Sequence, residues 1–170
     1  MPEKPARESA FWRFSLDFYA LPEIAPACLA LQDEAGVDVN VMLYLLFLAS
    51  SKREAKPEHV SRLDAAIRDW REKVVKPLRT LRRDLKAGIG QIAPAASEGF
   101  RNMVKKLELE SERLEQHKLE RTGAGLSLPE APSPQTAARA NLAAYAQFLG
   151  GEFPQGPLTV IVSGFAASHH

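Results

Sequence analysis

The chain has 170 residues, 45% of them hydrophobic and 25% charged, with a formal net charge of +1, a composition that fits one globular core. That balance excludes the plainly basic character of a nucleic-acid binder, and the single cysteine, Cys28, excludes an internal disulfide and goes with a reducing compartment. The charge is unevenly spread: residues 1–51 hold three basic and seven acidic groups, a net of −4, whereas residues 52–86 hold twelve basic and six acidic, a net of +6.

Residues 1–8 carry two prolines and both charge signs, with no apolar run behind them of the kind a secretory signal needs. They read as the disordered start of a cytoplasmic chain. Ser9 is placed to cap a helix to about residue 20, in which Phe11, Trp12, Phe14, Phe18 and Tyr19 make one broad aromatic face. Leu21-Pro22 breaks that helix, and 23–35 reads as a second one with Ile24, Cys28 and Leu31 inward. Gly36 suits the left-handed position that ends a helix, and Asp38 the N-cap of the next, with Val37 and Met42 spaced as a hydrophobic staple. The helix so introduced, within 37–51, is apolar on all sides yet too short for a bilayer, which takes about 20 residues. It must be wrapped by other elements, and is the expected centre of the fold.

From 57 to 87, Val60, Leu63, Ile67, Trp70, Val74, Leu78, Leu81 and Leu85 alternate steps of three and four, the stripe of an amphipathic helix that Pro77 should kink. After the loop marked by Gly88, Gly90 and Pro94, a long helix is expected over 97–121, its thinner apolar stripe being Phe100, Met103, Val104, Leu107, Leu114 and Leu119. Residues 122–135 have the glycine, proline and serine content of a linker. A short helix over 136–150 should dock back through Ala138, Leu142, Tyr145 and Leu149, and 151–170 reads as disordered unless its Val-rich pentad finds a sheet edge. The expectation is an all-α, bundle-like domain of about five helices over 9–121 around a buried central helix, plus a short C-terminal helix.

The motifs F-W-x-F-S-L-x-x-Y (from Phe11) and L-Q-D-x-x-G-x-D-V-N (from Leu31), with Leu43, Phe47, Trp70 and Val75-Lys-Pro-Leu-Arg79, resemble a family of small proteobacterial proteins of unknown function. The likeness covers roughly 9–121, with Asn141-Leu142 and Tyr145 matching beyond it. It implies an all-helical cytoplasmic protein and brings no catalytic residues with it.

Catalytic signatures are absent. His59, His117, His169 and His170 have no second ligand at a metal spacing, and there is no phosphate-cradling glycine loop, nucleophile elbow or Cys–His pair. No cofactor and no metal are expected. Asp33, Glu34 and Asp38 lie around a helix end and read as caps and solvated turns. The candidate binding residues are of two kinds. Lys76, Arg79, Arg82, Arg83 and Lys86 run along one side of the kinked helix, where guanidinium groups offer paired donors to carboxylate or phosphate; their plainer role is to pair with Asp17, Glu23, Asp33, Glu34 and Asp38. Trp12, Tyr19 and Trp70 complete a core or line an inter-helix pocket, with Asn40, Tyr44 or an arginine at its mouth. On this reading the chain is a non-enzymatic module whose basic helix face meets another, acidic, protein. The alternative is binding or transformation of a small apolar anion between helices. A homodimer stays open, and neither nucleic acid nor a membrane span is expected. An enclosed pocket beside converging polar groups would favour the small ligand; a dry core would favour the protein partner.

Overall fold

The computed structural model describes residues 9–169. The Ser9 hydroxyl accepts from the Trp12 N–H at 2.9 Å and starts α1, Ala10–Tyr19. A turn with Glu23 at φ 66° leads into α2, Ile24–Ala35. Gly36 ends α2 in the left-handed region at φ 69°, and the Asp38 carboxylate accepts from the N–H groups of Asn40 (2.8 Å) and Val41 (3.2 Å) to open α3, Val39–Ser50. That turn is as the sequence specifies it.

Helix α3 is the centre. From Asn40 to Ala49 only Phe47 is not fully buried, and each such large side chain contributes about 1.5–3 kcal/mol on leaving water. The aromatic face of α1 closes one side, with Phe11 5.0 Å from Tyr44 and 5.4 Å from Phe47 between ring centroids. No single helix among the described residues is long and apolar enough to cross a membrane.

The expected kinked helix is α4, Pro57–Trp70, a π turn, Arg71–Val75, and α5, Lys76–Ala87. Pro77 has no N–H to give, and the chain widens in the turn before it, where the Lys76 N–H reaches the Arg71 carbonyl. The apolar stripe does not run through: Val75 is buried, whereas Trp70 and Leu81 are exposed. Helix α6, Pro94–Ala124, takes Pro94 as its first residue, three positions before the expected start.

Helix α6 buries Val104 and Leu119 of its expected apolar stripe and turns the rest outward. Phe100, Met103, Leu107 and Leu114 are 48–58% exposed, while Val104, Glu108, Ser111, Glu115 and Leu119, at steps of four, three, four and four, face inward. The reason is its partner. The side chains that α5 offers it include Arg79 and Arg82, and the acids Glu108 and Glu112 satisfy them where leucines would not.

Residues 122–135 are no flexible linker. Helix α6 continues to Ala124, and the strap beyond it is tied down: the Glu54 N–H donates to the Pro129 carbonyl (2.9 Å), the Ala131 N–H to that of Lys52 (2.7 Å), and Arg53 to that of Leu126 (3.2 Å). Gly123 is required by packing, since a Cβ there would lie 1.9 Å from the Tyr44 hydroxyl. Helix α7, Pro134–Phe148, then packs along α3 as a main wall of the core. Its buried Asn141 accepts from the Ala55 N–H (2.6 Å) and donates to the carbonyls of Leu45 (2.9 Å) and Arg53 (3.0 Å).

The tail is not disordered either. Residues Gln155–Ser168 form α8, which covers α2. Ile161 and Phe165 are fully buried, and Gly164 lets the helices approach so closely that a Cβ would sit 2.7 Å from Ile24 Cδ1. Leu158, Ile161, Val162 and Phe165 fall at helical spacing, a period that outweighs the strand preference of the Val-rich pentad. The architecture is all-α, with eight α-helices and one π turn among the described residues.

Candidate functional site: a two-chamber cleft at the start of the central helix

Two cavities share Gln32, Val39, Asn40 and Arg79 in their walls. The outer, of 270 Å³, lies between α1, α3, α5 and α6. Trp12, Leu16, Tyr19, Leu29 and Leu43 supply its apolar side, and Arg79, Arg82, Arg83, Glu108 and Glu112 the polar one. The inner, of 180 Å³, sits at the N-terminus of α3, walled by Asp38, Asp64, Arg71, Glu115 and Tyr145. It abuts the π turn, a kind of distortion that recurs at functional sites.

The basic groups are almost all spoken for. Arg79 holds Glu112 (3.0 Å), Glu108 (3.4 Å) and the Gln32 amide oxygen (3.1 Å). Arg82 closes on Glu108 through two nitrogens, and Lys76 pairs with Glu72 at 2.7 Å on its own side of the chain. Arg71, mostly buried, reaches Asp64 (2.7 Å) and Asp38 (3.3 Å), and Arg68 completes the Asp64 carboxylate at 2.8 Å. Burial alone would weaken the charge on Arg71, but its hydrogen bonds and the charges of Asp64 and Asp38 more than offset it, so the guanidinium stays charged. The acids that pair with Lys76, Arg79 and Arg82 are thus Glu72 of the π turn and Glu108 and Glu112 of α6. Among the described residues the acidic first half of the chain provides only Asp38, and to Arg71.

Glu115 stands apart. It is 1% exposed, no donor reaches either carboxylate oxygen, and its hydrogen-bonding neighbour is another carboxyl group, that of Asp38. Burial, and next the adjoining Asp38, push its pKa far above the ordinary carboxylate range, so that it holds its proton at neutral pH. Burial also raises Glu112, with Arg79 opposing. The Tyr145 hydroxyl accepts from the Asp38 N–H at 2.8 Å, and burial drives its pKa up strongly. Asn40 accepts from the Gln116 amide at 2.9 Å, and Gln116 in turn accepts from Ser15 at 3.2 Å.

Of the residues singled out in the sequence, Trp12, Tyr19, Asn40, Arg79, Arg82 and Arg83 meet at the outer chamber and Lys76 lines the inner one. Trp12 is buried beneath the Arg113 guanidinium, 4.8 Å from its ring centroid. Trp70 lies outside both chambers, its indole N–H donating to the Ser111 carbonyl at 2.9 Å, and so does Lys86, which lines a shallow depression with Pro94 and Arg101. Tyr44 is in the core, where burial lifts its pKa to about 12. Arg71, Asp64, Glu108, Glu112, Glu115 and Tyr145 were not anticipated. A signal for three of them exists: Glu108, Glu112 and Glu115 recur at steps of four and three, which places them on one side of a helix.

A larger groove, of 940 Å³, runs between α7 and α8, but its charged groups, Arg139 and Glu152, are both solvent-exposed. Among the described residues no group of three or more His, Cys, Asp or Glu side chains is placed to hold a metal ion. Comparison of the chain with known families matches residues 10–119 to the family described as Protein of unknown function (DUF2390). Comparison with curated proteins and with solved structures gives no match.

Proposed function

Because the chain belongs to that family of unknown function, its geometry has to carry the reading, and we propose that it binds a small molecule in the cleft between α1, α3, α5 and α6. The observation that carries it is the convergence of an apolar wall (Trp12, Leu16, Tyr19, Leu29, Leu43) with buried polar groups in a cavity of 270 Å³. The ligand's apolar part lies against Trp12 and Leu43, and its polar end meets Gln32, Asn40 and Arg79. A simple grip on an anion is not favoured, since Arg79 and Arg82 already hold two carboxylates. Arg83, without an ion-pair partner among the described residues, is the one arginine of the chamber left for an anion. Fragment screening by protein-observed NMR tests the reading. Hits should shift the amides of Trp12, Tyr19, Asn40 and Arg79, and Leu16→Trp should block them. Hits that cluster in the α7–α8 groove would overturn it.

A second reading, contact with another protein, is favoured by the outward face of α6. Phe100, Met103, Leu107 and Leu114 follow steps of three, four and seven, the spacing of a helix–helix seam, and leave it exposed. A second copy of the chain is the simplest occupant. Light scattering then finds a dimer that Leu107→Glu converts to a folded monomer; a monomeric wild type would remove this reading.

A further inference from the structure

We propose that the inner chamber binds an organic ammonium ion, with the Glu115 carboxylate as its counter-ion. This goes beyond the outer-chamber reading and stands on different residues. It rests on which charges are matched and which is not. Asp64 has Arg68 and Arg71; Asp38 has Arg71 and two N–H groups of α3; Glu108 and Glu112 have Arg79 and Arg82. Only Glu115 has no donor of its own: it is buried, lines the cavity, and its hydrogen-bonding neighbour is another acid, Asp38. A buried carboxyl group whose hydrogen-bonding neighbour is another acid is a standing cost, one that native structures rarely carry without a use. The cavity of 180 Å³ holds the liquid volume of about six waters, room for a compact ligand.

The sign of the ligand follows. An anion would have to displace a carboxylate from Arg71 or Arg79, whereas a cation takes up the one acid of this wall that has no ion-pair partner. Three acceptors face it: Glu115, Asp38 and the Tyr145 hydroxyl oxygen. The positive end of α3 opposes a cation, but Asp38 caps those N–H groups and cancels most of that field. The remaining charges on the wall are Asp64 from α4, Arg71 from the π turn, and Lys76 and Arg79 from α5, with Glu112 nearby on α6 itself. Each has an ion-pair partner already, so the protonation change falls on Glu115. In the empty chamber Glu115 is a neutral acid. When the ammonium enters, the Glu115 O–H bond breaks, the electron pair stays on the carboxylate, and the proton leaves to solvent. One cation enters for one proton released, and affinity rises with pH until the ammonium itself deprotonates.

Methylammonium chloride is the probe, with matched sodium chloride and sodium acetate as controls, titrated calorimetrically into the full chain in two buffers of different ionisation enthalpy. The expected result is binding of methylammonium only, with about one proton released, and a loss of about tenfold in affinity in Glu115→Gln, the factor that goes with one hydrogen bond between charged groups. Binding without proton release, an unchanged Glu115→Gln variant, equal or tighter binding of acetate, or no binding of methylammonium would each overturn it. Proton release is read on the wild type, so the conclusion survives a variant that folds poorly. Leu16→Trp separates the two readings, because it fills the outer chamber and should leave methylammonium binding unchanged.

Discussion

Replacing Glu115 by Gln keeps the shape of the side chain and removes its ability to titrate. In the folded chain burial and Asp38 raise the Glu115 pKa, whereas in the unfolded chain it lies near an ordinary value of about 4.3. Between those limits the folded state holds a proton that the unfolded state has released, so the wild type loses stability as pH rises, by about 1.4 kcal/mol per unit. From pH 5.5 to pH 7.5 that amounts to about 2.7 kcal/mol, a large share of a typical folding free energy of about 5–15 kcal/mol. Glu115→Gln escapes this loss, and the two proteins should be nearly equal in stability close to pH 5. Urea denaturation at half-unit pH steps reads the difference directly. Glu112 is raised by burial too, but it titrates in both proteins and drops out of the comparison. Parallel curves for the two proteins would show that Glu115 is ionised in the native state, and would refute the reasoning.

Three other outcomes follow from the packing. Gly123→Ala, which inside a helix ordinarily stabilises by about 1 kcal/mol, should here destabilise by about 1–3 kcal/mol, because its Cβ meets the Tyr44 ring; combining it with Tyr44→Leu should recover part of the loss in a double-mutant cycle. Phe165→Ala should cost about 3–5 kcal/mol by denaturant melt, since its ring is fully buried and 6.5 Å from that of Phe18; a cost near zero would return the tail to a dispensable appendage. Arg82→Glu should cost about 2–3 kcal/mol, less than a fully buried pair because the arginine is 26% exposed, and the swap with Glu108→Arg should restore much of it.

Local chemistry was legible where it acts within one turn of chain. Gly36, Asp38 and the all-apolar run after them announce the end of α2 and the start of α3, and the aromatic periodicity of α1 announces the face that meets α3. The choice between two faces of one helix was not. Helix α6 carries an apolar side and an acidic side, and burying the first is the ordinary rule. The rule fails in part here because Arg79 and Arg82 stand opposite, and that opposition exists only once α5 has been placed. The candidate site suffered in the same way: Trp12, Tyr19, Asn40 and the arginines were visible as residue types, but Glu115 gains its meaning from losing water, which no spacing displays. The strap after α6 misled through composition, since glycine and proline mark a flexible spacer or a pinned turn alike, and the pinning partners at Lys52 to Glu54 lie far back in the chain.

The π turn has a consequence for the chain beyond it. Each α-helical residue advances the side chains by about 100°, and a turn closed one residue later than usual holds one residue more than the regular ladder. It acts as a phase shifter: upstream of it Val60, Leu63 and Ile67 point to the core, and downstream the inward position passes from Val74 to Val75. If the same residues ran as an uninterrupted α-helix, α5 would be rotated by about a quarter turn, bringing Val74 inward and carrying Arg79 and Arg82 away from Glu108 and Glu112. Both chambers therefore depend on a count. A one-residue deletion at 72–74 would turn the π turn into an ordinary α turn and keep α5 aimed as it is, whereas a second inserted residue would aim every side chain of α5 elsewhere.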